Sequence, residues 1–309
     1  MKKQILLIFI PLLILSGCLK EESYEETYQS HEQPMAEFEE VYTLGLYDGD
    51  TFEKERTFNI KDDSFTKSVV LGNKTSKNSS FILLIFDHGE QLEFSVSNGE
   101  PTINHSFEIM AGEYKELKVS FQDLDDGFHS ITYVVLPNPE KLPDDYETAV
   151  SLADIFSIRV NLLKNIDNIT DERPALYTDA LISEDRKIHG VFLSSRENLY
   201  EALYKENMEG NNFSYNLIYG NSNSESLDFY IVGLLNFKQT LISGKNKYIY
   251  DNLKPGEEKS IPIEFKESLK ERNNSLQFLM ITTPFNPITQ QKPFLLQDPL
   301  ASNRMVLIK

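Results

Sequence analysis

One cysteine and no tryptophan among 309 residues remove several explanations at once. A lone thiol closes no disulfide within the chain and builds no cysteine metal site. Basic residues are scarce: 30 Lys and Arg face 48 Asp and Glu, for a net charge of −18. Such a surface repels nucleic acid and anionic headgroups, which excludes DNA and RNA as partners. No apolar run reaches the roughly 20 residues a helix needs to cross a bilayer. Nucleophile elbows of the Gly-x-Ser-x-Gly type, Gly-Lys-Ser/Thr phosphate loops and dinucleotide fingerprints are missing. The five histidines, His31, His88, His105, His129 and His189, are scattered, and no two stand at a metal-ligand spacing. Carboxylate pairs are too common in a chain this acidic to nominate a glycosidase pair. No motif calls for a cofactor or a metal, and no residue stands out as catalytic.

What the chain does have begins at its start. Met1-Lys2-Lys3 is positive, Gln4 to Ile14 is nearly all apolar, and the run closes on Leu15-Ser16-Gly17-Cys18. A charged start and a short apolar core are the marks of a secretory signal. Leu15-Ser16-Gly17-Cys18 resembles the lipobox of bacterial membrane lipoproteins, and the only cysteine falls where the box requires it. The resemblance implies cleavage after Gly17, a diacylglycerol on the Cys18 thiol and acylation of the freed amine. Two acyl chains, at about 0.8 kcal/mol per buried methylene, hold a protein stably on a membrane. The expected location is therefore the extracytoplasmic face of the cell membrane, by lipid anchor, with residues 1–17 removed. An ordinary signal peptide with a chance cysteine is the alternative. Once lipidated, Cys18 leaves no free thiol for catalysis.

Residues 18–40 follow as an acidic stretch. Leu19 to Glu40 holds eight Glu and one Lys and few branched apolar side chains. That is too little apolar surface to offset the cost of ordering the segment. It reads as a lipidated, self-repelling, disordered tether, with Tyr24, Tyr28 and Phe38 as the elements of an alternative docking segment.

Beyond residue 40 the pattern is β. Phe81 to Phe86, Tyr114 to Phe121, Ile131 to Leu136, Phe229 to Val232, Ser260 to Phe265 and Leu276 to Thr282 are alternating or wholly apolar runs, separated by Asn, Gly, Ser, Asp and Pro. Only Arg196 to Glu206 and Lys266 to Arg272 have helical spacing. The chain also matches itself. An offset of 148 places Phe65 on Phe213, Gly72-Asn73 on Gly220-Asn221 and Phe81 on Phe229. Further on, Ala111-Gly112-Glu113 lies opposite Pro255-Gly256-Glu257. Pro137-Asn138-Pro139 lies opposite Pro284-Phe285-Asn286-Pro287, and Ser157 to Lys164 opposite Ser302 to Lys309. The reading is a duplication: domain one over 41–164, a linker over 165–187 and domain two over 188–309. Pro174 breaks any helix across the joint, and the linker's mixed composition suits an interface between the domains.

Each unit holds about seven candidate strands with turn signals at short intervals, the sequence appearance of an antiparallel sandwich. Asp125-Asp126-Gly127-Phe128-His129 resembles the Asp-x-Gly-x-Tyr corner of immunoglobulin-like domains, with His129 where tyrosine would stand. Gly112-Glu113 and Gly256-Glu257 resemble the Pro-Gly-Glu turns of bacterial immunoglobulin-like modules. These resemblances imply an all-β chain of two tandem antiparallel immunoglobulin-like β-sandwiches after the tether. The Cys–Trp–Cys core of antibody domains is absent. Asp123-Leu-Asp125-Asp126-Gly127 fails the EF-hand spacing, since Gly127 falls at position 5 and Val134 at position 12; a turn is the better reading, with a loop-end calcium site left open.

The functional expectation is a non-catalytic binding or assembly protein on the membrane surface. Its partner would be a protein or cell-envelope component, and the acidic surface favours one with a basic patch. The alternative is a lipid-anchored hydrolase or solute-binding receptor, although a receptor would show long helices between its strands.

Overall fold

The computed structural model describes residues 40–309 except 171, 184–187, 197–198, 209–212, 266, 268 and 289–297. The lipobox residues Leu15, Ser16, Gly17 and Cys18 and the acidic stretch up to residue 39 lie outside the described residues. The first unit contains β1 (Tyr42–Asp48), β2 (Thr51–Phe52), β3 (Thr57–Ile60), β4 (Phe65–Asn73), β5 (Ser79–Asp87), β6 (Glu90–Gln91), β7 (Ser95–Val96), β8 (His105–Ile109), β9 (Tyr114–Phe121), β10 (Gly127–Pro137), α1 (Tyr146–Ser151) and β11 (Phe156–Lys164). The second contains β12 (Leu181–Ser183), β13 (Gly190–Arg196), β14 (Leu199–Ala202), β15 (Lys205–Asn207), β16 (Phe213–Gly220), β17 (Leu227–Leu235), β18 (Lys238–Thr240), β19 (Tyr248–Leu253), β20 (Glu258–Phe265), β21 (Asn273–Thr282), β22 (Leu300–Ala301) and β23 (Met305–Ile308).

The fold is all-β: two antiparallel immunoglobulin-like sandwiches. In the first, a sheet ordered β2-β1-β4-β9-β7 faces one ordered β3-β11-β10-β5-β6, with β8 also on β5. In the second, β12-β20-β16-β13-β14 faces β15-β23-β21-β17-β18, with β19 also on β17. Apart from β22, which adds to β21 in the second unit alone, the two orders correspond, down to the one parallel pair in each among the described residues, β3 with β11 and β15 with β23. One edge differs. Where β9 pairs with β7, β20 pairs with β12, a strand taken from the segment that joins the units.

The sequence explains which strands lie inside. In β9 only Leu117, Val119 and Phe121 of alternate positions are buried, and in the second half of β20 Ile261, Ile263 and Phe265 alternate with exposed Pro262 and Glu264, as expected of sheets with one wet face. β5, β10, β17 and β21 are largely apolar on both faces, and both faces are covered. Phe81, Leu83 and Ile85 enter the first sandwich's core, while Ile82, Leu84 and Phe86 point the other way. Phe229 and Ile231 enter the second core, while Tyr230, Val232 and Leu234 point outward. The two outward faces cover each other. The molecule therefore has four sheet layers and a third apolar cluster between its halves, joined at the edge by Ile166 and Ile169.

Two sequence expectations are corrected. Arg196 to Glu206 is not a helix: Leu199–Ala202 pairs with β13, and Lys205–Asn207 runs parallel to β23. Lys266 to Arg272 contains no helix among its described residues. The one α-helix among the described residues, Tyr146–Ser151, starts at Asp145, whose carboxylate accepts from the Thr148 N–H at 2.7 Å.

Candidate binding cleft and the junction between the sandwiches

The repeat is close enough in space to align side chains. Asn73 ends β4 with its side chain fully buried, donating to the carbonyls of Lys77 (2.7 Å) and Ile109 (3.1 Å). Asn221, the residue just after β16, is placed the same way, donating to the carbonyls of Glu225 (2.7 Å) and Leu253 (3.1 Å). The Asn73 and Asn221 carbonyls accept from Gly112 and Gly256, whose φ values of +77° and +75° suit glycine. One alignment slips. Asn138 and Thr283 both have positive φ, and their N–H groups donate to Ser80 O and Asp228 O. Pro139 therefore matches Pro284, rather than Pro137 matching it. The sequence comparison was misled by a proline-rich turn that recurs within a few residues.

The matched positions meet across an approximate two-fold axis. The Gln91 N–H donates to Gln239 Oε1 (2.8 Å), and the Gln239 N–H donates to Gln91 Oε1 (2.6 Å). The Gln91 amide also donates to Phe237 O and the Gln239 amide to Gly89 O. Arginines are exchanged too. Arg159 of β11 reaches Thr283 Oγ1 and Asn286 O of the second unit, and Arg304, just before β23, reaches Pro137 O, Asn138 O and Lys141 O of the first. Burial brings both guanidinium groups down to about 10. This is the self-complementary contact pattern of a symmetric dimer, built within one chain.

A second polar cluster lies beside it. His129 opens β10 and its Nε2 hydrogen-bonds with the Asp125 carbonyl (2.8 Å), the role a tyrosine hydroxyl plays in the corner it resembles. Its Nδ1 meets Asp87 Oδ2 at 2.6 Å. Both ring nitrogens face acceptors. Burial alone would lower this imidazole, but the Asp87 carboxylate outweighs it and holds it above its ordinary value. The second unit closes the same corner with an amide: Asn274 donates to Glu271 O and accepts from Asn236. In the Asp123 to Gly127 loop, Lys164 Nζ bonds Asp63 (2.5 Å) and the Leu124 carbonyl and lies 3.5 Å from Asp126. An ammonium thus sits among the oxygens that a loop-end calcium site would use. Among the described residues no group of three or more His, Cys, Asp or Glu is placed to hold a metal.

The cleft of note, about 690 Å³, opens on the outer side of β5 and β8 where the first sandwich meets the second. Its floor is Ser80, Ile82 and Ser106, and its walls are Glu108, the Pro139-Glu140 turn and Phe237 of the second unit. Ser80 Oγ donates to Glu140 (2.6 Å), and Arg304 lies behind, 5.2 Å from the centre of the Phe237 ring. Sequence reasoning named none of these as site residues. No motif marks them, because strands distant in sequence bring them together.

No family model and no curated protein matches the chain. Among solved structures it resembles the CsuC–CsuE chaperone–tip adhesion subunit pre-assembly complex from archaic chaperone-usher Csu pili of Acinetobacter baumannii, at 11% identity over 86% of this chain and 98% of that one, with a TM-score of 0.26. It also resembles the E. coli chaperone DraB, at 11% identity over 86% and 95%, TM-score 0.25. Red sea bream transglutaminase overlaps at 8% identity over 87% and 31%, TM-score 0.24. Overlap this slight carries no function across.

Proposed function

We propose that this chain is a lipid-anchored, extracytoplasmic binding or assembly protein with no catalytic step of its own. The observation behind this reading is the cleft at the junction of the sandwiches, since the boundary between domains is a common place for a ligand-binding pocket. None of the more reactive polar groups lines it: His129 stands at the far end of β10 with both nitrogens committed, and Arg159 and Arg304 serve the contact between the units. The anchor is read from Leu15-Ser16-Gly17-Cys18 alone, and the partner's expected basic patch from the net charge of −18.

The test uses the full chain extracted from membranes in mild detergent. Intact mass should show residues 1–17 removed and a diacylglycerol on Cys18. Cys18→Ala should stay unprocessed or leave the membrane. The wild-type protein should capture a cell-envelope component in a salt-sensitive manner and show no turnover on peptide, ester or glycan panels. Turnover abolished by a single pocket substitution would make the chain an enzyme, and a Cys18→Ala protein processed and bound like wild type would remove the anchor.

A further inference from the structure

The two halves differ at this cleft, and the difference says what the open cleft lacks. Strand register aligns the two sites. Ser106 stands opposite Ile82 as Tyr250 stands opposite Tyr230. Asn138 bonds Ser80 O as Thr283 bonds Asp228 O, and Lys141 bonds Asn138 O as Asn286 bonds Thr283 O. Ser80, Ser106 and Glu140 of the first unit thus match Asp228, Tyr250 and Phe285 of the second.

In the second unit this place is filled by the chain's own joining segment. The Tyr177 N–H donates to Tyr250 O at 2.9 Å, along the side of β19 away from β17. The Arg173 guanidinium lies 4.0 Å from the centre of the Phe285 ring, and with Arg159 it faces the Asp228 carboxylate. Tyr250 and Phe285 are left 5% and 6% exposed.

In the first unit nothing among the described residues covers the matching positions. Ser106, Glu108 and Glu140 are exposed, and β8 pairs only with β5. The charges differ as well. The second site sets two arginines against one carboxylate, whereas the first has Arg304 facing Glu140 and a second carboxylate, Glu108, on the cleft wall. One cation and one extended backbone are missing. The chain's own acidic residues 19–40 have the wrong sign to supply them, and so does a second copy at −18.

We infer that the cleft takes an extended peptide segment of a partner protein, lying along the free edge of β8 with an arginine or lysine side chain between Glu108 and Glu140. This rests on the binding reading above and names its occupant. The Ser106 carbonyl, matched to that of Tyr250, accepts the first backbone hydrogen bond. The remaining affinity comes from strand addition and one charge-assisted contact.

The probe is a synthetic peptide with the sequence of residues 170–180, its Asp171, Glu172 and Asp179 replaced by serine and its ends blocked. It is titrated into the full chain in detergent, with anisotropy and hydrogen exchange as readouts. Saturable binding with slowed exchange along β8 is expected. Replacing the peptide's arginine by alanine, or making Glu108→Gln with Glu140→Gln in the protein, should weaken it on the order of tenfold. Ser106→Pro, which leaves the charges alone but spoils the edge, should weaken it too. Absence of binding at ~1 mM, a weak-binding limit on the affinity scale, overturns the inference, as does equal binding by the alanine peptide or protection away from β8. Self-association of the chain through β8 would overturn it in favour of a second copy. If the peptide fails while envelope capture by wild type and by the glutamine variant is equal, the binding reading stands without this cleft. Only enzymatic turnover removes both.

Discussion

The buried asparagine at the end of β4 and its counterpart just after β16 offer a sharp test of the repeat. Asn73 and Asn221 are fully buried, and each donates to two carbonyls. Asn73 Oδ1 accepts from the Thr75 N–H (3.0 Å) and hydroxyl (2.7 Å), and Asn221 Oδ1 from the Asn223 N–H (3.0 Å). A hydrogen bond contributes about 1 kcal/mol net, and a buried group left unpaired costs about 1–3 kcal/mol. Lys77 O is near the surface and regains water, whereas Ile109 O is in the core. Asn73→Ala should therefore cost about 2–4 kcal/mol, and Asn221→Ala about the same to within ~1 kcal/mol. Asn73→Asp keeps the shape but sets a carboxylate oxygen against two carbonyls, so at pH 7 it should cost more than the alanine variant. A carboxyl buried there has its pKa raised above ~3.9, so that deficit should shrink as pH falls from 7 toward 4. Urea unfolding of the chain, followed by tyrosine fluorescence and circular dichroism, measures all three. Alanine variants within ~0.5 kcal/mol of wild type, or an aspartate variant milder than alanine at pH 7, would refute the reasoning. A large loss at one site and none at the other would break the equivalence of the halves.

His129 should make stability pH-dependent. Its folded pKa is raised, so its contribution is complete below the unfolded value of ~6.5 and is lost as pH rises through the folded value. Denaturant midpoints measured from pH 6 to 9 should fall, and His129→Gln should flatten that slope. Gly89→Ala would place a methyl group 2.7 Å from the Tyr230 ring and 2.8 Å from that of Tyr248. The repacking should cost about 1–3 kcal/mol, read as a lower melting temperature. Gln91→Ala removes the amide's bonds to Ile103 O and Phe237 O and the acceptor for Gln239 N–H. It should cost about 1–3 kcal/mol and raise hydrogen exchange at β6 and β18 together, and exchange changing on one side only would contradict the reciprocal contact.

Much of the fold was legible because β-strands write their environment into their period. The alternation in Tyr114 to Phe121 announces one buried face, and Leu117, Val119 and Phe121 are on it. The unbroken runs at Phe81 to Phe86 and Phe229 to Val232 announce two buried faces, and the offset of 148 pairs them by residue order alone. The misreadings have a common origin. Arg196 to Glu206 has apolar residues at helical spacing, but its backbone is claimed by β13 and β23, whose hydrogen bonds come from residues distant in sequence. Strand preference depends on such neighbours more than helix preference does. The cleft was illegible for the same reason: Ser80, Ser106, Glu140 and Phe237 belong to separate segments and share no spacing rule. By itself, then, the sequence determined the β class, the repeat, the strands with two dry faces and the box at Cys18 from which an anchor is inferred. Only the tertiary structure decided that those dry faces cover each other, that Gln91 meets Gln239, and that the joining segment fills one of two matched sites while leaving the other open. Burial preference is local and shows in the order of residues, whereas the choice of which surface covers which is made by the packing of the whole chain.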